Sequence, residues 1–264
     1  MKKLFTLLIA LFTLLTLVAC NTKKDNDIHF GVSFYPAPQI AELIKDDLSA
    51  LGYNLVIREF TSYAAANPAL KTKEIDANFI QHQYYLANYN KEDDANIVVA
   101  KRMYHSKFSL FSSVYESLSD IPNNSEIIIP NDNVNTARAL LLLQTHGLIT
   151  LAEGKTYDAT VNDIVVNEKH LTFKLSGLTA SQDDFEEQGR ELAIMYPTYT
   201  TRLTNFDREG SILVSENFED ELTQSYAITV AVRSQDLETP KIKALLDARN
   251  WLIENYGWAA IPAF

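Results

Sequence analysis

The 264-residue sequence predicts an α/β protein built on mostly parallel sheets. Short β-like runs alternate along the chain with segments whose apolar residues recur at helical spacing. Turn and stop residues such as Gly52 and Pro130 punctuate the boundaries between them. Near the end, Thr239-Pro240 supplies a capping residue followed by a proline at the first helical position.

Taken in order, residues 28–34 form the first strand. Ile40, Leu43, Ile44, Leu48 and Leu51 then lie on one face of a helix over 40–51, which Gly52 stops. A second strand is expected at 54–60, a short helix at 64–73 and a third strand at 76–80. Residues 81–91 read as helical and 96–101 as another strand. The strand at 126–129 ends at Pro130, and a helix follows from about 135 to 146. Later strands fall at 171–175, 192–195, 211–215 and 226–233, before the helix that Pro240 opens. Ligands of parallel α/β sheets sit beyond the carboxyl ends of strands, so the loops after Phe34, Phe60, Ile80 and Ile129 are where a site is expected.

The amino-terminal end has its own logic. Lys2 and Lys3 precede an uncharged stretch over 4–19, too short for the roughly 20 residues of a spanning helix. The basic, apolar and small-residue layout is that of a secretory signal. Leu17-Val18-Ala19-Cys20 resembles a lipobox, and Cys20 is the single cysteine in the chain. The expectation is a signal peptide over 1–19, with Cys20 the first mature residue and the site of lipid attachment. Stable anchoring needs more than one acyl chain, each buried methylene contributing about 0.8 kcal/mol. A polar tether over 20–27 would then hold the domain at the outer face of the cell membrane, outside the cytoplasm. Loss of Lys2 and Lys3 takes the formal charge from −11 to −13, which argues against nucleic-acid partners. The mature chain has enough apolar material for one large or two modest domains.

Two kinds of candidate binding residue stand in the strand-end loops. Phe60-Thr61-Ser62-Tyr63 and Asn78-Phe79-Ile80-Gln81-His82-Gln83-Tyr84-Tyr85 are rich in aromatic and amide groups, which suit either a small-molecule cleft or a packed core. In Ile129-Pro130-Asn131-Asp132-Asn133-Val134-Asn135-Thr136-Ala137-Arg138, a strand gives way to a helix with an arginine expected in its first turn. Arg138 has the forked geometry to hold a carboxylate there, or to pair with Asp132 at the surface. The five histidines, His29, His82, His105, His146 and His170, show no metal-ligand spacing, so neither a metal nor a cofactor is expected. No nucleophile elbow, phosphate-binding glycine loop or zinc-protease motif is present, and an enzyme is not expected.

These segments, with Arg138-Ala139-Leu140 and the ending Ile261-Pro262-Ala263-Phe264, resemble the methionine-binding lipoproteins of bacterial ABC importers, the NlpA family. The resemblance spans nearly the whole mature chain. It implies a two-lobed, type II periplasmic-binding-protein-like fold that closes over its ligand. Lobe 1 would comprise 28–107 with 226–264 and lobe 2 would comprise 108–225, with crossings near 108–113 and 226–233. It also implies methionine or a related small amino-acid-like carboxylate as ligand, and an ABC permease and its ATPase as partners. Tyr63, Phe79, His82, Asn135 and Arg138 match positions expected to line the site.

Departures from the family pattern fall near that site. Where members carry Asn-Gly-Asn-Tyr-Ala, this chain has Tyr196-Pro197-Thr198-Tyr199-Thr200, and Tyr-Val-Asn becomes Tyr226-Ala227-Ile228. A His-Leu-Glu-Pro-like segment reads Tyr104-His105-Ser106-Lys107. The missing asparagines are expected to grip the amino and carboxylate groups of methionine, at about 1.5–3 kcal/mol for each hydrogen bond to a charged group. Tyr196, Thr198 and Ile228 therefore enter the expected lining in their place. The leading expectation is a lipid-anchored solute-binding protein. The alternatives are a diverged receptor for a methionine-containing dipeptide or another amino acid, and a surface lipoprotein acting as an adhesin or sensor.

Overall fold

The computed structural model describes residues 25–248 and 261–263, so Cys20, the expected signal peptide and Phe264 lie outside the described residues. The chain opens with β1 (Asp27–Val32), α1 (Ala37–Leu43), α2 (Lys45–Ala50) and β2 (Asn54–Glu59). The continuous helix expected over 40–51 is broken at Ile44, whose backbone (φ −95°, ψ 0°) departs from helical geometry. Gly52, at φ +83°, makes the left-handed turn that ends it. Next come α3 (Ala66–Lys71), β3 (Ala77–His82), α4 (Gln83–Glu92) and β4 (Ile97–His105). β5 (Ser109–Phe111), β6 (Glu126–Pro130), α5 (Asn133–Thr145), β7 (Thr150–Leu151) and β8 (Ile164–Val166) follow. The remainder is β9 (Thr172–Ser176), α6 (Ser181–Glu187), β10 (Ala193–Met195), β11 (Ile212–Ser215), α7 (Glu221–Ser225), β12 (Ile228–Arg233), α8 (Pro240–Asp247) and β13 (Ile261–Pro262). Thr239 does precede α8, with Pro240 at its start, but its hydroxyl donates to the Asp236 carbonyl instead of capping the helix.

Two sheets define two lobes. The first runs β13-β4-β12-β3-β1-β2 and the second β11-β5-β10-β6-β9. β1 is parallel to β2 and β3, and β6 is parallel to β9 and β10. The sheets are nevertheless mixed, which corrects the mostly parallel expectation. β12 runs antiparallel between β3 and β4, and β5 runs antiparallel between β10 and β11. β12 and β5 are the strands by which the chain enters each sheet from the other lobe, and they arrive from the opposite direction to the local βα units. Residues 106–108 join β4 of the first sheet to β5 of the second, and 216–227 join β11 of the second to β12 of the first.

Each sheet has its own core. Ile127, Ile128 and Ile129 of β6 are fully buried with Phe111, Leu140, Phe185 and Ile194 in the second lobe. Phe30, Phe79, Tyr104, Val230 and Ile242 pack together in the first. Complete burial of one such aliphatic side chain contributes about 1.5–3 kcal/mol, so a continuous run like β6 ties its strand firmly into the sheet. Among the described residues, no helix is long and apolar enough to cross a membrane.

Candidate ligand-binding site

The carboxyl ends of the central strands face one another across a narrow interlobe cleft. The first lobe contributes Phe34 after β1, Tyr63 after β2, Ile80, Gln81 and His82 at the end of β3, and Ile228 at the start of β12. Tyr85, in the first turn of α4, completes that wall. From the second lobe come Asn135 in the first turn of α5, Leu178 after β9 and Tyr196 after β10. Phe34 packs across the gap, parallel to Tyr196 at 6.2 Å and edge-on to Tyr199 at 5.2 Å.

A chain of hydrogen bonds joins the lobes at the cleft. The Tyr63 hydroxyl donates to Asp132 Oδ2 at 3.0 Å. Asp132 caps α5, accepting from the Asn135 backbone N–H at 3.0 Å and from Asn135 Nδ2 at 3.1 and 3.0 Å. That orients the Asn135 amide so that its Oδ1 faces His82 Nε2 at 3.2 Å. His82 caps α4 in turn, its Nδ1 accepting from the Tyr85 N–H. The histidine therefore carries its proton on Nε2 and donates it to Asn135. Burial, with the positive charge of Arg138 second, pulls its pKa down to about 3, so the ring is neutral at physiological pH.

Arg138 occupies a different place from the one expected. α5 begins at Asn133, which puts Arg138 in the second turn, away from the unpaired N–H groups of the helix start. Its partner is neither Asp132 nor open cleft. Nε and Nη2 form a two-point ion pair with Glu216, both bonds 2.6 Å long. Nη2 also donates to the Ser106 carbonyl at 3.0 Å, and Nη1 donates to the Tyr196 hydroxyl at 2.8 Å. The Phe108 and Tyr226 rings sit 4.4 and 4.3 Å from the guanidinium carbon. Burial opposes the charge on Arg138, but Glu216 more than offsets that and holds it cationic. Glu216 Oε2 further accepts the Phe108 N–H at 2.7 Å. The ion pair thus ties together both crossing segments, and Tyr196 stands between it and the cleft.

Of the expected lining residues, Tyr63, His82, Asn135, Tyr196 and Ile228 meet at the cleft. Phe79 does not: its ring packs in the first-lobe core, 6.3 Å from Phe30 and 5.5 Å from Tyr104. A register irregularity between the partners of Phe79 and Gln81 leaves Ile80, Gln81 and His82 at the cleft. Thr198 is buried within the 3-10 turn Pro197–Arg202 and is not part of the lining. Phe34, Gln81 and Tyr85 stood in segments already singled out by sequence. Leu178 and Glu216 carried no such signal. Among the described residues, no three His, Cys, Asp or Glu side chains are grouped to hold a metal ion.

Residues 28–262 match the model of the NlpA lipoprotein family. The chain belongs to that family. Within it, the methionine-binding lipoprotein MetQ of Bacillus subtilis is 29% identical over 275 residues, 99% of each chain. The D-methionine-binding lipoprotein MetQ of Escherichia coli O157:H7 is also 29% identical, covering 93% of this chain and 90% of its own. The fold superposes on a nutrient-binding protein from Burkholderia cenocepacia solved with methionine, with a TM-score of 0.80 and 28% identity over 90% of this chain and 100% of that one. NlpA lipoproteins of this kind are substrate-binding proteins with a two-lobed fold, and this chain shares both sheets of that architecture.

Proposed function

We propose that this NlpA lipoprotein captures a small amino-acid-like solute between its lobes and delivers it to an ABC permease driven by its ATPase. In this reading the lobes are 28–107 with 226–264, and 108–225, and a lipid on Cys20 holds the protein at the outer face of the cell membrane. The observation that carries the reading is the cleft itself. Aromatic and amide side chains from strand ends of both lobes converge there, and the bonds His82–Asn135 and Tyr63–Asp132 cross it. Such bonds can form only when the lobes are together, so they reward closure over a ligand. Phe34, Ile80, Leu178 and Ile228 suit an apolar side chain such as that of methionine, which related proteins are named for binding.

The direct test is to denature the purified protein and identify released small molecules by mass spectrometry. Recovery of one amino-acid-like solute in near-equimolar amount is expected, and recovery of nothing from protein that also binds no amino acid would sink the reading. Cys20→Ser should separately release the protein from the membrane fraction. A variant that still sediments with membranes after signal cleavage would rule out lipid attachment at that residue.

A further inference from the structure

On the solute-binding reading above, the charges around the cleft decide which ligand charge it favours. The polar groups lining it are phenols, amides and the His82 imidazole, which is neutral at physiological pH. Two charged groups stand one hydrogen bond behind that lining. Arg138 lies behind Tyr196, and its charge is cancelled at 2.6 Å by Glu216. Asp132 lies behind Tyr63 and Asn135, and among the described residues its hydrogen bonds come from uncharged donors. Burial first, and the Asp132 charge after it, raise the pKa of both Tyr63 and Tyr85. The Asp132 field therefore reaches the cleft wall. The Arg138 field reaches it too, at His82 and Tyr196, but there the paired Glu216 opposes it at Tyr196, whereas no cation pairs with Asp132 among the described residues.

The geometry points to a cation as the preferred ligand: a small primary amine with an apolar side chain and an uncharged carboxyl end, as in an amino-acid amide. A free carboxylate would meet no available guanidinium. Displacing Glu216 from Arg138 would leave a second buried carboxylate without its partner and without the Phe108 N–H it now accepts. An uncharged carboxamide, by contrast, needs only neutral donors and acceptors. The phenols and amides that line the cleft are groups of that kind.

Three probes that share one side chain separate the possibilities by calorimetry at pH 6.5, where an α-amine is protonated. Methioninamide carries charge +1, methionine is a zwitterion and N-acetylmethionine carries −1. The expected order of affinity follows that charge, with the amide at least tenfold tighter than methionine and N-acetylmethionine weakest. Asp132→Asn keeps a helix cap but removes the field, and should shrink the amide-to-methionine ratio several-fold. Glu216→Gln should shrink it too, by releasing Arg138's charge. If that variant does not fold, the Asp132→Asn ratio still decides. Methionine binding as tightly as the amide overturns the charge preference and leaves the solute-binding reading intact. Binding of none of the three overturns both, and an unchanged ratio in Asp132→Asn overturns the role given to Asp132.

Discussion

Two polar clusters lie within a few side chains of each other, and they are built from opposite materials. At the crossings, Arg138 and Glu216 form a buried, two-point ion pair boxed in by Phe108, Tyr196 and Tyr226. At the cleft, His82, Asn135, Asp132 and Tyr63 make a relay in which every donor is neutral. The ion pair links segments that stay together whatever the lobes do. The relay joins two lobes which, on the proposed function, must part and meet again. A buried charge stripped of its partner costs several kcal/mol, whereas a hydrogen bond from a neutral donor exchanged for water costs about 1 kcal/mol, or about 1.5–3 kcal/mol where its acceptor is charged. Charge meets charge where a contact is permanent, and where a contact must be broken the donor is neutral even when, as in Tyr63–Asp132, the acceptor is a carboxylate.

The largest way to break this contrast is to remove Glu216. Glu216→Ala leaves the Arg138 guanidinium buried and unpaired, and should lower unfolding free energy by about 3–5 kcal/mol in urea denaturation. A loss below about 1 kcal/mol would mean that the pair is solvated in solution and that the crossings are held by something else.

Acid should separate the clusters next. Since the folded pKa of His82 lies near 3 and its unfolded value near 6.5, the unfolded chain binds more protons between those limits. The His82 contribution is therefore complete above about pH 6.5 and is lost as pH falls toward 3. By pH 4.5 the loss should reach about 2–3 kcal/mol, at roughly 1.4 kcal/mol per pH unit. His82→Gln should flatten this part of the stability–pH curve relative to the native protein, whatever it costs at pH 7. Parallel curves for the two proteins between pH 6.5 and 4.5 would show that His82 titrates normally in the fold.

How much of this was readable beforehand depends on the range of the interaction concerned. Local signals were sound. Gly52, Pro130 and Thr239-Pro240 sit at the element ends they mark, and the strand-end loops do face the cleft. What failed was anything set by distant partners. Arg138 looked like an anion-binding residue because its neighbours were visible in sequence, while Glu216, 78 residues away, was not. Phe79 was placed in the lining because it matches a family position expected there, whereas its ring is taken up by Phe30 and Tyr104 in the first-lobe core. The mixed sheets were missed because strand direction depends on which lobe a strand arrives from, and neither composition nor periodicity records that.

A smaller perturbation tests the relay without touching its histidine. Asp132→Ala removes the cap of α5 and the acceptor of Tyr63 together, and should cost about 1–2 kcal/mol in thermal or urea unfolding. That lies well below the Glu216→Ala figure although both variants delete one carboxylate. Equal losses would erase the distinction between an ion pair and a carboxylate served only by neutral donors.

The smallest expected effect concerns a contact at the rim. Tyr84, in α4 of the first lobe, stacks on Tyr157 of the second at 4.9 Å and 16°. Tyr157 is half exposed, so the ring pair contributes little to either core and its energy belongs almost wholly to holding the lobes together. An aromatic pair of this geometry is worth about 0.5–1.5 kcal/mol. Tyr157→Ala should therefore leave urea unfolding of the ligand-free protein nearly unchanged. Ligand affinity should weaken by roughly two- to tenfold, because part of the closure energy is lost. Tyr157→Phe keeps the stack and should bind like the native protein. If Tyr157→Ala instead lowers unfolding stability by more than about 1.5 kcal/mol while leaving affinity unchanged, the stack is part of the permanent scaffold. It would then belong with the Arg138–Glu216 pair and not with the neutral contacts of the cleft.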